Sequence, residues 1–345
     1  MTRPIPIGVV GLGFMGRTHV AAFRAAHAAG LANRLVAVAD SSRERLTGRV
    51  PKVGNLSAAK LGEGDDDVIF DAKTVRGYTT PQELFADREV ELVSICTPTP
   101  THVELALQAL AAGKHVLLEK PVALASSDVA RLADAARAAR TLCMPAMCMR
   151  FWPGWDWLRE RVRDGSFGRV KSATFRRLGT PPTWSAGFYD DPEKSGGALF
   201  DLHVHDADFI RWCFGAPSSV TSTGSLEHVT TLYRFPNGPA HVVAEGALDH
   251  TPGFGFRMRY TVIFERATAD FDIGREPKLL LAENGEAKPV ELAATAGYDG
   301  EIAHLLAAIA TGRRELAATL DEAVGLTRML EAERRSLRTG MPVAC

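Results

Sequence analysis

Cysteine is scarce and poorly spaced for any framework. The 345-residue chain has five, Cys96, Cys143, Cys148, Cys213 and Cys345. The number is odd and no C-x-x-C pair occurs, so neither a disulfide scaffold nor a zinc site is indicated. Cys96 and Cys213 fall in apolar contexts that suit buried thiols. An excess of one charge is also lacking: 40 Lys and Arg stand against 41 Asp and Glu, a formal net charge of -1. With no basic run either, there is no general attraction for nucleic acid or an anionic membrane. No uninterrupted apolar stretch approaches the roughly 18 residues of a membrane span. Met1-Thr2-Arg3-Pro4 leads straight into an apolar run, without the h-region and cleavage site of a signal peptide. The expected location is the cytoplasm. Internal repeats are absent, and 46% hydrophobic against 23% charged residues is the balance of a globular protein. The length implies two domains.

What the chain does have is a glycine pattern in a telling place. Gly11-Leu12-Gly13-Phe14-Met15-Gly16 follows the apolar run Ile5-Pro6-Ile7-Gly8-Val9-Val10 and opens a helical pattern. Asp40 lies 24 residues after Gly16, at the end of Leu35-Val36-Ala37-Val38-Ala39. Strand before, helix after and an acid at the second strand's tip together specify a dinucleotide site. Gly11 permits the tight turn, Gly13 lets a pyrophosphate approach bare backbone, and Gly16 lets the helix pack on the strand. The N–H groups that start the helix, at Phe14 and Met15, face the phosphates. Asp40 accepts from the ribose hydroxyls and repels a 2′-phosphate, which favours NAD; Arg43, three residues on, keeps NADP open.

Beyond this unit, strand and helix signals alternate: strand at Leu92-Val93-Ser94-Ile95-Cys96, helix from Val103 to Ala112, strand at His115-Val116-Leu117-Leu118, helix from Ser127 to Ala139, and strand from Cys143 to Met149. That is a doubly wound parallel sheet, an α/β Rossmann domain over residues 1–150. From 151 to 345 longer β-type runs appear without intervening helices: Lys171 to Leu178, Ala240 to Leu248, Arg257 to Glu265 and Lys278 to Ala282. An α+β domain with an open, mainly antiparallel sheet is expected. Its tail, Glu301 to Arg338, reads as two helices broken at Thr311-Gly312. The segment 52–78, with Asp65-Asp66-Asp67, reads as a loop or short hairpin before a helix at Pro81-Gln82-Glu83-Leu84, since consecutive acids point in different directions and make no metal cage.

Three clusters carry chemistry: Thr97-Pro98-Thr99-Pro100-Thr101-His102, Glu119-Lys120-Pro121, and Gly196-Gly197 running to Asp201, His203, His205 and Asp208. The first two end parallel strands, the edge where such sheets bind ligands. With Ala112-Gly113-Lys114-His115-Val116 and Arg150-Phe151 with Pro153, the chain resembles the Gfo/Idh/MocA family of glucose-fructose oxidoreductase and inositol dehydrogenase relatives over nearly its whole length. The resemblance implies Lys120, Asp201 and His205 as the catalytic trio, and a homodimer or homotetramer built on the open sheet. Thr97 and Pro98 are expected on the nicotinamide side, and His102, Glu119 and Lys120 join the cofactor-binding set.

These residue types suit alcohol oxidation. An imidazole at His205 titrates near working pH and takes a hydroxyl proton. The Lys120 ammonium stabilises a developing alkoxide. Asp201, four residues before His205, shares its face if one helix carries both. Pro121 constrains the backbone at Lys120, with a cis bond open to it. Asp208 is expected to cap or pair locally, while Trp152, Arg177, Trp184 and Tyr189 are candidate substrate contacts. No metal is expected, because His203-x-His205-Asp206 lacks the i, i+4 spacing of a helical pair. The reading is hydride transfer between NAD(P) and a hydroxyl carbon of a sugar, cyclitol or polyol. The alternatives are glycoside cleavage through transient oxidation and, third, a non-catalytic sugar or NAD sensor.

Overall fold

The computed structural model describes residues 3–49, 68–183, 187 and 191–345. The acid run Asp65-Asp66-Asp67 and the candidate contacts Trp184 and Tyr189 lie outside them. Arg49 and Val68 pair as an antiparallel bridge.

Two compact units divide the chain. Among the described residues the first comprises 3–49, 68–148 and 296–324. Its strands are β1 (Ile5–Val10), β2 (Asn33–Ala39), β3 (Arg76–Tyr78), β4 (Leu92–Ile95), β5 (His115–Leu118) and β6 (Cys143–Pro145). They pair in the order β3-β2-β1-β4-β5-β6, every pairing parallel. This strand order, reversing between β1 and β4, is that of a Rossmann domain. Both faces of the central strands are covered, and all six residues of β1 are buried. The helices are α1 (Phe14–Ala28), α2 (Pro81–Ala86), α3 (His102–Ala111) and α4 (Ser126–Ala138). Thr80 and Glu83 close a capping box at the start of α2, which explains a six-residue helix beginning at Pro81. The strand expected over Cys143 to Met149 stops at Pro145, whose ring has no N–H for a ladder, and a 3-10 turn, Cys148–Phe151, follows.

The second unit comprises 149–183, 187, 191–295 and 325–345 among the described residues. Its helices are α5 (Trp155–Asp164), α6 (Pro192–Ser195), α7 (Gly197–Asp201) and α8 (Val204–Phe214). Its nine strands are β7 (Val170–Leu178), β8 (Ser219–Gly224), β9 (His228–Arg234), β10 (His241–Ala247), β11 (Arg257–Phe264), β12 (Ala267–Asp272), β13 (Leu279–Glu283), β14 (Glu286–Pro289) and β15 (Val343–Ala344), in the order β14-β13-β12-β11-β7-β10-β9-β8-β15. The pairing is antiparallel except between β7 and β10, which run parallel; α7 and α8 lie in the long connection between them. On β11, Met258, Tyr260, Val262 and Phe264 are buried while Arg259, Thr261 and Ile263 are exposed, so one face of the sheet is packed and the other open. The packed face centres on Trp155, which meets Phe209 and Tyr260 edge-on at 4.8 and 5.3 Å between ring centres.

The tail forms α9 (Gly297–Thr311) and α10 (Leu320–Thr339), broken where expected, with Gly312 left-handed at the end of α9. Their placement differs from a second domain running unbroken from 151 to 345. Helix α9 packs on α1 and belongs to the first unit, and α10 passes from the first unit into the second at Gly325. The reason is apolar burial: Ile302, Leu305 and Leu306 of α9 are all almost fully buried.

Candidate active site

In the first unit the dinucleotide turn is built as its glycines require. Gly11 has φ 85°, and a Cβ there would meet the Cys96 carbonyl at 2.7 Å. A Cβ on Gly16 would sit 1.9 Å from the Gly11 carbonyl oxygen, so only glycine lets α1 start this close to β1. Around Gly13 a Cβ would meet no protein atom within 4 Å, which leaves open space beside bare backbone. Gly13 is the N-cap of α1 and makes no side-chain cap to the first turn, which opens at Phe14 and Met15; the N–H groups of such a helix start suit an anion. The donors fit a pyrophosphate. Phe14 itself is buried and Met15 half-buried.

Asp40 is tied more firmly than its position in sequence reveals. Its Oδ2 accepts from the Leu12 N–H at 2.7 Å and its Oδ1 from the Ser42 N–H at 2.8 Å. The acid at the tip of β2 therefore clamps the glycine turn. The nearby cation is Arg45, whose Nη1 lies 3.4 Å from Asp40 Oδ2. Arg43 is exposed. The turn that follows Asp40 and the short 3-10 helix Arg45–Thr47 bring the later arginine back, and residue spacing alone does not distinguish the two.

At the ends of β4 and β5 the expected cofactor residues divide into surface and support. Pro98 is exposed, and Thr97 Oγ1 lies 2.7 Å from Thr101 Oγ1. His102 is buried and bridges the two strand ends, Nε2 lying 2.7 Å from the Thr97 carbonyl and Nδ1 2.8 Å from the Pro121 carbonyl. Burial lowers its pKa against the pull of those carbonyls. His102 is thus a brace for both loops. Lys120 is half-buried and precedes a cis peptide bond to Pro121. Glu119 points inward instead: Oε2 accepts from the Lys120 N–H at 3.0 Å and Oε1 lies 2.9 Å from His19 Nε2. Burial raises the Glu119 pKa, but the hydrogen bond and charge of His19, with Lys120 and His102, outweigh it and hold the carboxyl below its ordinary value. Sequence reasoning missed His19. The signal was there, three residues beyond Gly16 on α1, a histidine on a helix face that must pack on the sheet.

The second unit holds the other cluster. Gly196 and Gly197 have φ 77° and 65°, and a Cβ on Gly197 would strike the Leu226 carbonyl at 2.6 Å. These glycines set the entry to α7, whose last residue is Asp201. Asp201 and His205 do not share one helix: α7 ends at Asp201, Leu202 and His203 form a turn, and His205 lies in the first turn of α8. The His205 N–H bonds to Leu202 O at 3.3 Å, an i→i−3 step that interrupts an α ladder. Both side chains are half-buried.

The neighbouring polar residues are structural. Asp208 accepts both Nε (2.9 Å) and Nη2 (2.6 Å) of Arg150 in a fork with both side chains 3% exposed. Arg177, a candidate substrate contact in sequence, is buried: it pairs with Asp206 at 3.0 Å through both Nε and Nη2 and lies over the Trp155 ring. It holds α8 to β7 and has no face for a ligand. Trp152 is likewise buried. His203 Nε2 lies 2.9 Å from Tyr233 Oη and 2.8 Å from Glu333 Oε2, and Glu333 also accepts from Thr231 Oγ1 at 2.8 Å. This network seats α10 on the sheet.

Residues 5–147 match the NAD-binding Rossmann domain of the Gfo/Idh/MocA oxidoreductase family, and residues 155–270 match that family's C-terminal domain. An uncharacterised oxidoreductase of Synechocystis sp. is 36% identical over 152 residues, 43% of this chain and 41% of that one. Myo-inositol 2-dehydrogenase of Thermotoga maritima is 26% identical over 294 residues, 80% of this chain and 78% of that one. The match therefore spans less than half of the Synechocystis protein and over three quarters of the Thermotoga one. A levoglucosan dehydrogenase solved with NADH and levoglucosan has the same fold, with a TM-score of 0.82 over 99% of both chains at 19% identity. The glycine turn, the Rossmann strand order and two consecutive domain matches covering well over half the residues lead to one conclusion: this chain belongs to the Gfo/Idh/MocA family of NAD-binding oxidoreductases.

Proposed function

We propose that the protein transfers hydride between a hydroxyl-bearing carbon of a sugar, cyclitol or polyol and a nicotinamide, with NAD preferred. The observation that carries the reading is the dinucleotide turn: Gly11 left-handed, open space beside Gly13, and Asp40 hydrogen-bonded to the Leu12 N–H at 2.7 Å. Support for the substrate class comes from relatives named for myo-inositol and levoglucosan. Bound NAD supplies the hydride acceptor. The chain's own residues do the rest. The N–H groups starting α1 bind the phosphates, and Asp40 orients the ribose and disfavours a 2′-phosphate. His205 accepts the hydroxyl proton, Lys120 stabilises the resulting alkoxide, and Asp201 holds substrate or orients the imidazole. The same reading takes the open face of the nine-stranded sheet as the surface on which copies of this chain assemble into dimers or tetramers. Sedimentation of the purified protein tests that assembly.

The test of activity is a panel of sugars, cyclitols and polyols mixed with enzyme and NAD or NADP, followed by the absorbance of reduced nicotinamide. The expected result is reduction with at least one polyol, faster with NAD. Failure of the whole panel with both cofactors refutes the reading. Release of sugar from a glycoside without accumulated reduced cofactor would replace it with the glycoside-cleaving alternative, which no observation on this chain favours.

A further inference from the structure

Beneath Lys120 the first unit buries three titratable side chains with too few partners. His19 of α1, Glu119 at the end of β5 and Glu301 of α9 bring their ligand atoms within 4.8 Å of one another, with side chains 0%, 6% and 0% exposed. Glu301 Oε1 is 3.8 Å from His19 Nε2, and neither Glu301 oxygen has a hydrogen-bond partner. His19 Nδ1 lies 2.7 Å from Ser94 Oγ, which in turn is 3.4 Å from Cys96 Sγ. The groups facing the cluster are therefore Ser94 and Cys96 from β4 and its end, His102 from α3, and Lys120 beside Glu119. Two buried carboxylates against one imidazolium leave a net negative charge and two unsolvated oxygens, a costly arrangement. One added proton cancels it. A divalent cation would also balance the charge, but closed metal sites take four ligands, and three-ligand sites keep a water in an open position. Here there are three donors, all buried, and no fourth acid, thiol or imidazole among the described residues joins them.

We propose that Glu301 is held as the neutral carboxylic acid beside the Glu119 carboxylate, and that this pair with His19 is a positioning device for Lys120. The link to Lys120 is direct, since Glu119 Oε2 accepts the Lys120 backbone N–H. Burial, opposed by His19 and reinforced by the Glu119 charge, moves the Glu301 carboxyl far above its ordinary value, in keeping with a neutral acid. For His19, burial lowers the pKa and Cys96 and Glu119 more than reverse it, in keeping with an imidazolium. Only the positioning role rests on the proposed chemistry of Lys120; the proton assignment stands without it.

The test compares the unmodified protein with Glu301→Gln and Glu301→Leu. Infrared difference spectra at neutral pH should show a carboxylic-acid C=O band in the unmodified protein that is missing from Glu301→Gln. Glutamine replaces the neutral acid as a donor, so Glu301→Gln should fold and keep kcat within about threefold. Glu301→Leu should lower kcat by roughly tenfold or more with the NADH Kd unchanged, and hydrogen exchange at the Lys120 amide should quicken. No such band, a Glu301→Gln variant that fails to fold, or a stoichiometric divalent metal in elemental analysis overturns the proton assignment. A Glu301→Leu variant with unaltered Lys120 exchange overturns the positioning role. None of these readouts except kcat requires turnover, so an inactive unmodified enzyme would refute the dehydrogenase reading and leave this one decided by the spectra.

Discussion

At the scale of single residues, the side chains proposed for chemistry differ in burial from those that hold the fold. Lys120 and His205 are half-buried, whereas Arg150, Arg177, His203 and Asp208 spend their polar atoms on buried partners. The two groups should respond differently to substitution. Lys120→Ala and His205→Ala are each expected to lower kcat by about 100- to 10,000-fold, the usual yield of a placed acid, base or charge. Calorimetry should find NADH affinity within about threefold of the unmodified protein, because in the proposed mechanism both side chains act at the reacting hydroxyl and not on phosphate or ribose. Asp208→Ala is expected to do the reverse. It removes the buried carboxylate that forks onto the Arg150 guanidinium and should cost about 3–5 kcal/mol of stability in denaturant titration. Sequence exposed the catalytic candidates through the family resemblance, Lys120 beside a strand-end motif and Asp201 and His205 after the Gly196-Gly197 pair. It hid the Arg150–Asp208 and Arg177–Asp206 forks, because the partners are 58 and 29 positions apart and only the fold brings them together.

Between residue and molecule, whole elements were legible wherever a local rule governed them. The β1–turn–α1 unit follows from glycine sterics, and α2 from its capping box, so both were readable before any tertiary contact was known. The turn at Leu202 and His203, which parts Asp201 from His205, has no Gly or Pro to mark it; seating buried His203 against Tyr233 and Glu333 is a tertiary demand. The second and third glycines of the dinucleotide turn offer a test of element-level reasoning. Gly13→Ala adds a methyl to open space, so the melting temperature should hold while NADH affinity falls about tenfold or more through lost approach to the backbone. Gly16→Ala instead drives a methyl into the Gly11 carbonyl, so α1 must move off β1. Melting temperature and affinity should both fall. Equal stability losses in the two variants would show that the turn is not shaped around a bound group.

For the molecule as a whole, protonation and chain topology meet at α9. The folded state holds a proton on Glu301 that the unfolded chain releases above its ordinary value of 4.5, and one on His19 that the unfolded chain releases above 6.5. Both contributions lose ground as pH rises, each by about 1.4 kcal/mol per pH unit within its window. Glu119, with a depressed value, acts oppositely and only in acid, where stability is lost as pH falls below 4.5. Thermal midpoints should therefore decline as pH rises above 4.5 and more steeply above 6.5, and Glu301→Gln should flatten the decline. The same helix decides what folds alone. Composition and periodicity place the Rossmann domain at 1–150, since nothing in the α9 sequence announces that its apolar face belongs to a sheet far earlier in the chain. Ile302, Leu305 and Leu306 are buried in that unit, and Leu320 and Ala323 share a core cluster with Val103, Leu132 and Cys143. Burying a large apolar side chain contributes about 1.5–3 kcal/mol, so losing the first three alone removes a sum comparable to the whole stability of a domain. A fragment of residues 1–150 is accordingly expected to aggregate, or to bind a hydrophobic dye and no NADH. Should it instead melt cooperatively as a monomer and bind NADH as the full chain does, α9 would be an accessory to the nucleotide unit and not a component of its core.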